Sequence, residues 1–289
     1  MKRTEYLLLI LFFTSVCSSS AQKNEFRNQE DPESEYVQHW NFGLNMGMIL
    51  PDKQSANFYN GSAINENSAN RILDNLYFKQ QIVENIGYNY KSYDLPENMA
   101  YKAAMSVGFY GRYNFSARSA FITQFNYHRL KANDIFLLNL DVPGGFSFEP
   151  TYYECAIIGQ EARTNIDIGY MRSFPLQKKI SIFTEIGFNL NNTVVDLNMI
   201  GINNLQYTIK YAGEHPQGPY SNNTYYDLRQ GGIGYGGFIT TGLSLEFNES
   251  VSLDPAISIY WSKVSLAPYD AFGPNFIFFV RFVMKNSLF

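Results

Sequence analysis

Hydrophobic and polar residues alternate in eight segments of this chain, and a period of two residues is the pattern of a β-strand. The clearest segment is the last, Asn275 to Lys285, in which one face is entirely apolar and the other carries Arg281. Such a pair of faces is typical of a strand with lipid on one side and a polar interior on the other. The eight predicted strands are Trp40 to Leu50, Tyr101 to Phe115, Phe121 to Leu130, Ala162 to Phe174, Ile180 to Leu190, Ile233 to Phe247, Val251 to Trp261 and Asn275 to Lys285.

The connections between these segments are long and short in turn. Pro51 to Ala100, Lys131 to Glu161 and Asn191 to Gly232 are long, whereas the three connections between them are turns. Lys263 to Pro274 is of intermediate length. Membrane β-barrels have short turns on one side and long loops on the other. The sequence therefore predicts an all-β fold, an eight-stranded antiparallel transmembrane β-barrel with short periplasmic turns and long extracellular loops. A soluble sandwich or lipocalin-like barrel would instead bury its apolar face.

Three stretches depart from the alternation. Pro175 is expected to end the fourth strand, because proline cannot donate to a hydrogen-bond ladder. Apolar residues between Ser68 and Ile86 fall near helical spacing, which predicts a helix in the first loop, either a lid or docking surface or a helix that packs on the barrel rim. The third loop is rich in tyrosine and either grips a partner or covers the barrel mouth. These tyrosines are Tyr207, Tyr211, Tyr220, Tyr225 and Tyr226.

The N-terminus has the composition of an export signal. Lys2 and Arg3 precede an apolar run, and small residues end at Ala21, so residues 1–21 are predicted to be a signal peptide. Residues 22–38 are polar and are interpreted as a periplasmic tail, which leaves residues 39–289 for the barrel. The alternative is a lipoprotein signal that uses Cys17, but Val16 stands where such signals usually place Gly, Ala or Ser.

Composition narrows the classes further. The chain is 17% aromatic, with 22 Tyr and 24 Phe, and barrels place aromatic residues in girdles at both membrane interfaces. The formal net charge is −4 without a basic cluster, which argues against a nucleic-acid partner. After signal cleavage only Cys155 is left, so neither an intramolecular disulfide nor a cysteine metal cluster is expected. The strand count places Cys155 in the second long loop, outside the cell.

The inward faces of the predicted strands carry four positive and four negative residues. Buried charges are tolerated when they are paired and hydrogen-bonded, so a barrel-interior ionic network is expected. Paired carboxylates such as Asp167 and Glu185 suit acid–base catalysis, but barrel interiors commonly use such networks for packing. His128 has no serine and acid arranged with it, and no metal-ligand spacing is present, so no catalytic residue, metal or cofactor is predicted. The network residues are Lys102, Arg112, Arg163, Asp167, Glu185, Glu246, Asp254 and Arg281.

The last strand resembles the C-terminal strand of bacterial outer-membrane β-barrels, which typically end in an aromatic residue, as this chain does at Phe289. Beyond the signal, the sequence is similar to small eight-stranded barrels of the Bacteroidota type, where Ala-Gln at the cleavage site and Tyr- and Asn-rich loops are common. Within that type it resembles the PorT-like outer membrane protein β-barrel family, some of which serve type IX secretion, although the loops here are long for it. The resemblance implies a location in the cell outer membrane and supplies no activity.

Three functions are open at this point. The first is a non-enzymatic barrel that acts as a structural or docking component, for example of a secretion or surface complex. The second is a narrow solute pore, and the third is a lipid-modifying enzyme. The expected partners are surface proteins, outer-membrane lipid and lipopolysaccharide, whose phosphates the outward Arg129 would meet unless it merely snorkels. Bulky inward residues predict a lumen closed to solutes. These residues are Tyr110, Phe183, Phe238, Tyr260 and Phe279.

We predict that signal peptidase I cleaves after Ala21, because the small side chains of Ser19 and Ala21 fit its recognition pocket. Mass spectrometry of the mature N-terminus should give Gln22 as the first residue. A diacylated Cys17 at the N-terminus would contradict this prediction.

Overall fold

The computed structural model describes residues 39–62, 68–142, 151–209, 230–248 and 250–285. Three short α-helices and one 3-10 helix, Asn57–Tyr59, occur in this part of the chain: α1 is Lys53–Ala56, α2 is Ala69–Asp74 and α3 is Leu76–Ile86. No helix among the described residues is both long and apolar enough to cross a membrane. The strands are β1 His39–Leu50, β2 Asn89–Asp94, β3 Ala104–Ser116, β4 Ser119–Asp141, β5 Tyr152–Gln177, β6 Ile180–Ile202, β7 Leu205–Thr208, β8 Gly231–Glu246, β9 Val251–Lys263 and β10 Phe272–Lys285.

Eight of these strands form a closed ring in which every neighbouring pair is antiparallel. Its order is β1, β3, β4, β5, β6, β8, β9, β10 and back to β1. Following the register from Trp40 once round the ring leads to Leu50 of the same strand, a shear of ten residues. With ordinary strand spacing, this shear corresponds to a strand tilt of about 40°. The predicted eight-stranded antiparallel barrel is confirmed.

The outward faces of the ring form an apolar belt bounded by aromatic residues. At the end with the short turns, Trp40, Tyr113, Phe121 and Tyr170 follow one another in register on four adjacent strands. The rings of Trp40 and Tyr113 lie 5.1 Å apart. At the tilt derived above, the outward residues of β9 span a height of about 25 Å, the height of the apolar band in outer-membrane barrels. This belt is the surface that hydrocarbon covers.

Three strands extend far beyond the belt. β4, β5 and β6 have 23, 26 and 23 residues, and with β2 and β7 they build an external sheet in the order β2, β4, β5, β6, β7. The expected loops Lys131 to Glu161 and Asn191 to Gly232 therefore contain strand at both ends. The prediction was wrong because the apolar face changes sides: on β4 it is the outward face up to Tyr127 and the inward face from Leu130 onward.

Pro175 does not end the fourth strand of the ring, since β5 continues to Gln177. Pro175 lies opposite Ser181, and the register with β6 shifts between Pro175 and Gln177. This irregularity accommodates a residue without an N–H at the exposed end of the strand.

Two helices cover one face of the external sheet. The expected helix from Ser68 to Ile86 is split at Asn75, whose side chain accepts hydrogen bonds from the backbone N–H groups of Tyr77 and Phe78 and so begins α3. The break changes the helical phase. Phe78 and Ile82 therefore face the sheet, while Leu76 and Tyr77, which the periodicity placed on the apolar face, are 85% and 65% exposed.

The external sheet and these helices share a hydrophobic core of their own. Its buried members include residues of α2, of α3 and of the inward faces of the extended strands. Tyr207 of the predicted tyrosine-rich loop is one of them, and its ring packs against Phe78 at 5.4 Å. Other members are Ile72, Leu73, Ile82, Tyr90, Phe136, Leu138, Cys155, Ile157 and Ile200.

Some predicted features lie outside the described residues. These are the signal peptide, the tail, Phe289 and the remaining tyrosines of the third loop, Tyr211, Tyr220, Tyr225 and Tyr226. Cys155, expected in a loop, instead lies on β5 with 3% of its surface exposed.

We predict that an impermeant maleimide does not label Cys155 on intact cells at neutral pH. Burial raises the pKa of the Cys155 thiol to about 12, so the reactive thiolate is scarce as well as enclosed. Leu73→Ala, which leaves a cavity in the same core, should make labelling faster. Rapid labelling of the wild-type thiol would contradict the burial.

A matched variant tests the orientation of the barrel. Ser92→Cys, in a Cys155→Ser background, places an exposed thiol on β2 and should be labelled on intact cells. Labelling only after the outer membrane is opened would reverse the topology.

Candidate functional site in the barrel interior

Six of the eight predicted network residues are buried inside the ring. They are Arg112, Arg163, Asp167, Glu185, Asp254 and Arg281, with exposures of 7% or less. The other two do not belong to the interior.

Lys102 and Glu246 are the two corrections. Lys102 is exposed and precedes β3, where its backbone N–H donates to the carbonyl of Lys131. Glu246 is the last residue of β8 at the short-turn rim, and its carboxylate pairs with Lys285. The alternation of polar and apolar residues predicted that both side chains face the lumen. However, Lys102 precedes β3 and Glu246 ends β8, so both lie beyond the enclosed part of the lumen.

Arg281 is the centre of the interior network. Its guanidinium donates from Nη1 to Glu185 Oε1 at 2.7 Å and from Nη2 to Glu185 Oε2 at 3.2 Å. Nε donates to Asn45 Oδ1 at 3.0 Å, and the group lies 3.5 Å above the ring of Tyr110, which itself donates to Glu185. This bidentate, fully buried arrangement is the geometry in which Arg binds a carboxylate best.

The partner of Arg281 is not an acid on a neighbouring strand but Glu185 of β6. Asp254 lies directly opposite Arg281 on β9, but its Oδ1 accepts from Ser244 at 2.7 Å. Register defines which residues are neighbours on adjacent strands, whereas the long arginine side chain crosses the lumen to β6. Only the closed ring brings β6 within its reach.

Asp167 is the common acceptor of a second group of hydrogen bonds. Its carboxylate accepts from Gln124 at 2.9 Å, from Tyr260 at 2.8 Å and from Asn189 at 2.5 Å. Gln124 Oε1 also accepts from Arg281 at 3.3 Å, which joins the two groups. The two carboxylates considered for acid–base chemistry, Asp167 and Glu185, are therefore each held by their own donors. Within the described residues, no set of three or more His, Cys, Asp or Glu side chains is arranged to hold a metal ion.

A third group closes the external mouth of the barrel. Glu161 pairs with Arg163, and its Oε2 accepts from Tyr59 at 2.6 Å and from Tyr101 at 3.0 Å. Arg163 Nη2 donates to Ser55 Oγ at 3.0 Å. Ser55, in α1, and Tyr59, in the 3-10 helix, come from the first external connection, so this segment reaches into the lumen. We call Ser55, Tyr59 and Tyr101 the plug.

Glu161 was missed, although the sequence contained a signal for it. Glu161, Arg163, Asn165 and Asp167 share one face of β5, so extending the alternation by one residue would have found it. Tyr59 had no such signal. Its ring lies where a side chain at Gly159 would be, because an added Cβ there would sit 2.2 Å from a ring carbon.

The bulky residues that were predicted to face inward all do so. Phe238 and Tyr260 stack with centroids 5.6 Å apart, and Phe183 is fully buried. A cavity of about 10 Å³ lies between Arg163, Tyr260 and their neighbours, about the volume of one water molecule. His128 is buried with Nε2 3.2 Å from Asn165 Nδ2. The five residues are Tyr110, Phe183, Phe238, Tyr260 and Phe279.

Comparisons with known proteins give similarities of fold. No protein-family model matches the chain, and a search of curated proteins gives no match. Among solved structures, the chain is similar to Neisserial surface protein A, with 8% identity, a TM-score of 0.42 and coverage of 86% of this chain and 99% of that one. It is also similar to Ail of Yersinia pestis in complex with sucrose octasulfate, with 10% identity, a TM-score of 0.34 and coverage of 86% of this chain and 98% of that one. For OprG of Pseudomonas aeruginosa the identity is 7%, the TM-score is 0.36, and the coverage is 86% of this chain and 94% of that one.

The geometry of the chain itself, and not its low similarity to these structures, defines the class of protein. A closed ring satisfies every strand without an edge, and this is the condition for β-structure to cross hydrocarbon. The apolar belt outside and the hydrogen-bonded charges inside complete the arrangement. The protein is an eight-stranded β-barrel of the cell outer membrane.

We predict that Arg281→Met destabilises the barrel by about 3–5 kcal/mol, because it leaves Glu185 buried without its cation. Replacing both partners, as in Arg281→Met with Glu185→Leu, should recover most of the loss. The control is Lys285→Gln, which breaks the partly exposed rim pair and should cost less than about 1 kcal/mol. Urea unfolding in phospholipid vesicles measures these differences, and an Arg281→Met cost no larger than that of the control would contradict the prediction.

Proposed function

We propose that this barrel is a non-enzymatic docking component of the outer membrane, which presents its external unit to surface proteins or to a secretion complex. The observation that carries the proposal is the extension of β4, β5 and β6 beyond the belt into a sheet with its own hydrophobic core. A barrel that served only as an anchor or a passage would not need such a unit.

The external unit is built as a rigid extension of the barrel. Its three long strands are continuous with the ring, and the plug connects its first segment to Glu161 and Arg163 inside the mouth. A binding surface held in a fixed orientation loses little entropy when it binds, which favours a docking role.

Exposed apolar side chains mark the surfaces that would receive a partner. Leu76 and Tyr77 stand at the start of α3, and Ile135 is 53% exposed on the outer face of the sheet. Tyr88 and Tyr152 are about half exposed. These side chains are the apolar contact points that the external unit offers to a partner.

The resemblance of the sequence to PorT-like barrels supports the finer part of the proposal, in which the partner is a secretion complex such as that of type IX secretion. Lipopolysaccharide is the second proposed partner. The side chain of Arg129, two residues beyond Tyr127, is 61% exposed, and its Nη2 lies 3.5 Å from Oδ2 of Asp196. A loose, exposed pair of this kind leaves the guanidinium free to exchange partners with a lipid phosphate.

The docking proposal predicts that photoreactive phenylalanine analogues at Leu76 and Ile135 form discrete protein adducts on irradiated intact cells. The matched control is Phe109, which is 66% exposed within the lipid belt and should give no protein adduct. Purified unlabelled barrel added to the cells should compete for the partner and reduce the adducts. Absence of protein adducts at both external sites, from a folded and surface-exposed protein, would contradict docking.

The same purified protein separates docking from the pore alternative. A lumen filled by the network and the aromatic residues predicts no stable conductance in planar bilayers. Reproducible open-channel conductance would make the pore the better proposal.

A further inference from the structure

An apolar groove crosses the outward surface of β6, β8 and β9. Gly237 faces outward, and in register it lies between Phe188 of β6 and Trp261 of β9. A Cβ added to Gly237 would meet only the carbonyl oxygen of Gly187, at 3.4 Å, so the space outside it is open. The groove has a volume of about 590 Å³ and also contacts Ile186, Ile239 and Ile259.

The groove is a specific feature of this face of the barrel. Gly111 is another outward glycine of the ring, but the side chains of Thr123 and Phe42 cover it, at 3.3 and 4.0 Å from an added Cβ. At Gly237 the neighbouring side chains stand apart instead, and Phe188 is 81% exposed. The missing side chain therefore leaves a depression between two aromatic walls.

The position of the groove defines what can fill it. Trp261 is in the apolar belt, and two residues further along β9 Lys263 pairs in register with Tyr235 and marks the polar rim, where its Nζ lies 2.8 Å from Asp270. The groove thus runs from the external rim into the outer half of the hydrocarbon. Its outward lining side chains are all apolar, so water is not a suitable occupant.

We propose that this groove is a binding site for one acyl chain of an outer-leaflet lipid. A flexible hydrocarbon chain of the membrane can enter from the rim side and contact Phe188, Trp261 and the backbone at Gly237 together. An unfilled groove would forfeit these dispersion contacts on both sides. The site is distinct from the external unit and does not depend on the docking role.

The test uses Gly237→Val, which fills the groove from the barrel side. Valine suits a strand, and the added Cβ has room, so the barrel should keep its stability. The control is Gly201→Val, an equivalent change on β6 outside the belt, where an added Cβ meets only Ala156 at 3.8 Å. Phe188→Ala, which removes one wall, is a second variant that leaves the backbone unchanged.

Each protein is reconstituted in vesicles of dibrominated phosphatidylcholine, extracted into detergent and examined by native mass spectrometry. The wild type and Gly201→Val should retain a bound lipid, and Gly237→Val and Phe188→Ala should lose it. In a Trp40→Phe background Trp261 is the single tryptophan. The brominated acyl chain that stays bound after extraction should quench the fluorescence of Trp261, and this quenching should disappear in Gly237→Val.

Two outcomes would overturn the proposal. Equal lipid retention in all four proteins would mean that bound lipid lies elsewhere on the belt. A lipid-free wild-type dimer that Gly237→Val dissociates would assign the groove to a second copy of this chain.

Discussion

The structure depends on one constraint, that no backbone hydrogen-bonding group of a strand can be left unpaired in hydrocarbon. Eight strands meet it by closing into a ring with a shear of ten residues. A ring of eight strands encloses a space that side chains can fill. The charged residues of the interior are enclosed there and must find partners within the lumen, and Arg281 with Glu185 on the opposite wall is the central case.

The interior contains groups of hydrogen-bonded side chains that follow one another along the barrel axis. Gln124 joins Arg281 to Asp167, and further toward the outside Glu161 and Arg163 bind the plug. The plug makes the external segment part of the barrel's own network. Stability of the membrane part and orientation of the external part are thus physically linked.

The long strands β4, β5 and β6 pass from the membrane into the external sheet, so the surroundings of each strand face change along its length. On β5 the inward residues are apolar at Cys155 and Ile157, where helices cover the sheet. They are polar or charged from Glu161 to Asp167, where the barrel encloses them. The outward face is apolar at Ile166 and Ile168, where lipid covers it. One continuous strand therefore carries the barrel wall and the external sheet, which makes the external unit a fixed extension of the barrel.

The sequence by itself determined the barrel, its eight strands and most of the buried charges, because a period of two with an apolar outer face is a local pattern. It did not determine where β4 and β5 end, since the change of apolar face at Leu130 looks like the loss of the pattern until helices are seen to cover the new face. It also missed the partner of Arg281 and the insertion of Tyr59 against Gly159. Both contacts join residues far apart in the chain, so no local pattern indicates them. The closure of the ring brings Arg281 within reach of Glu185 on the opposite wall, and the packing of the first external connection on the barrel mouth brings Tyr59 to Gly159.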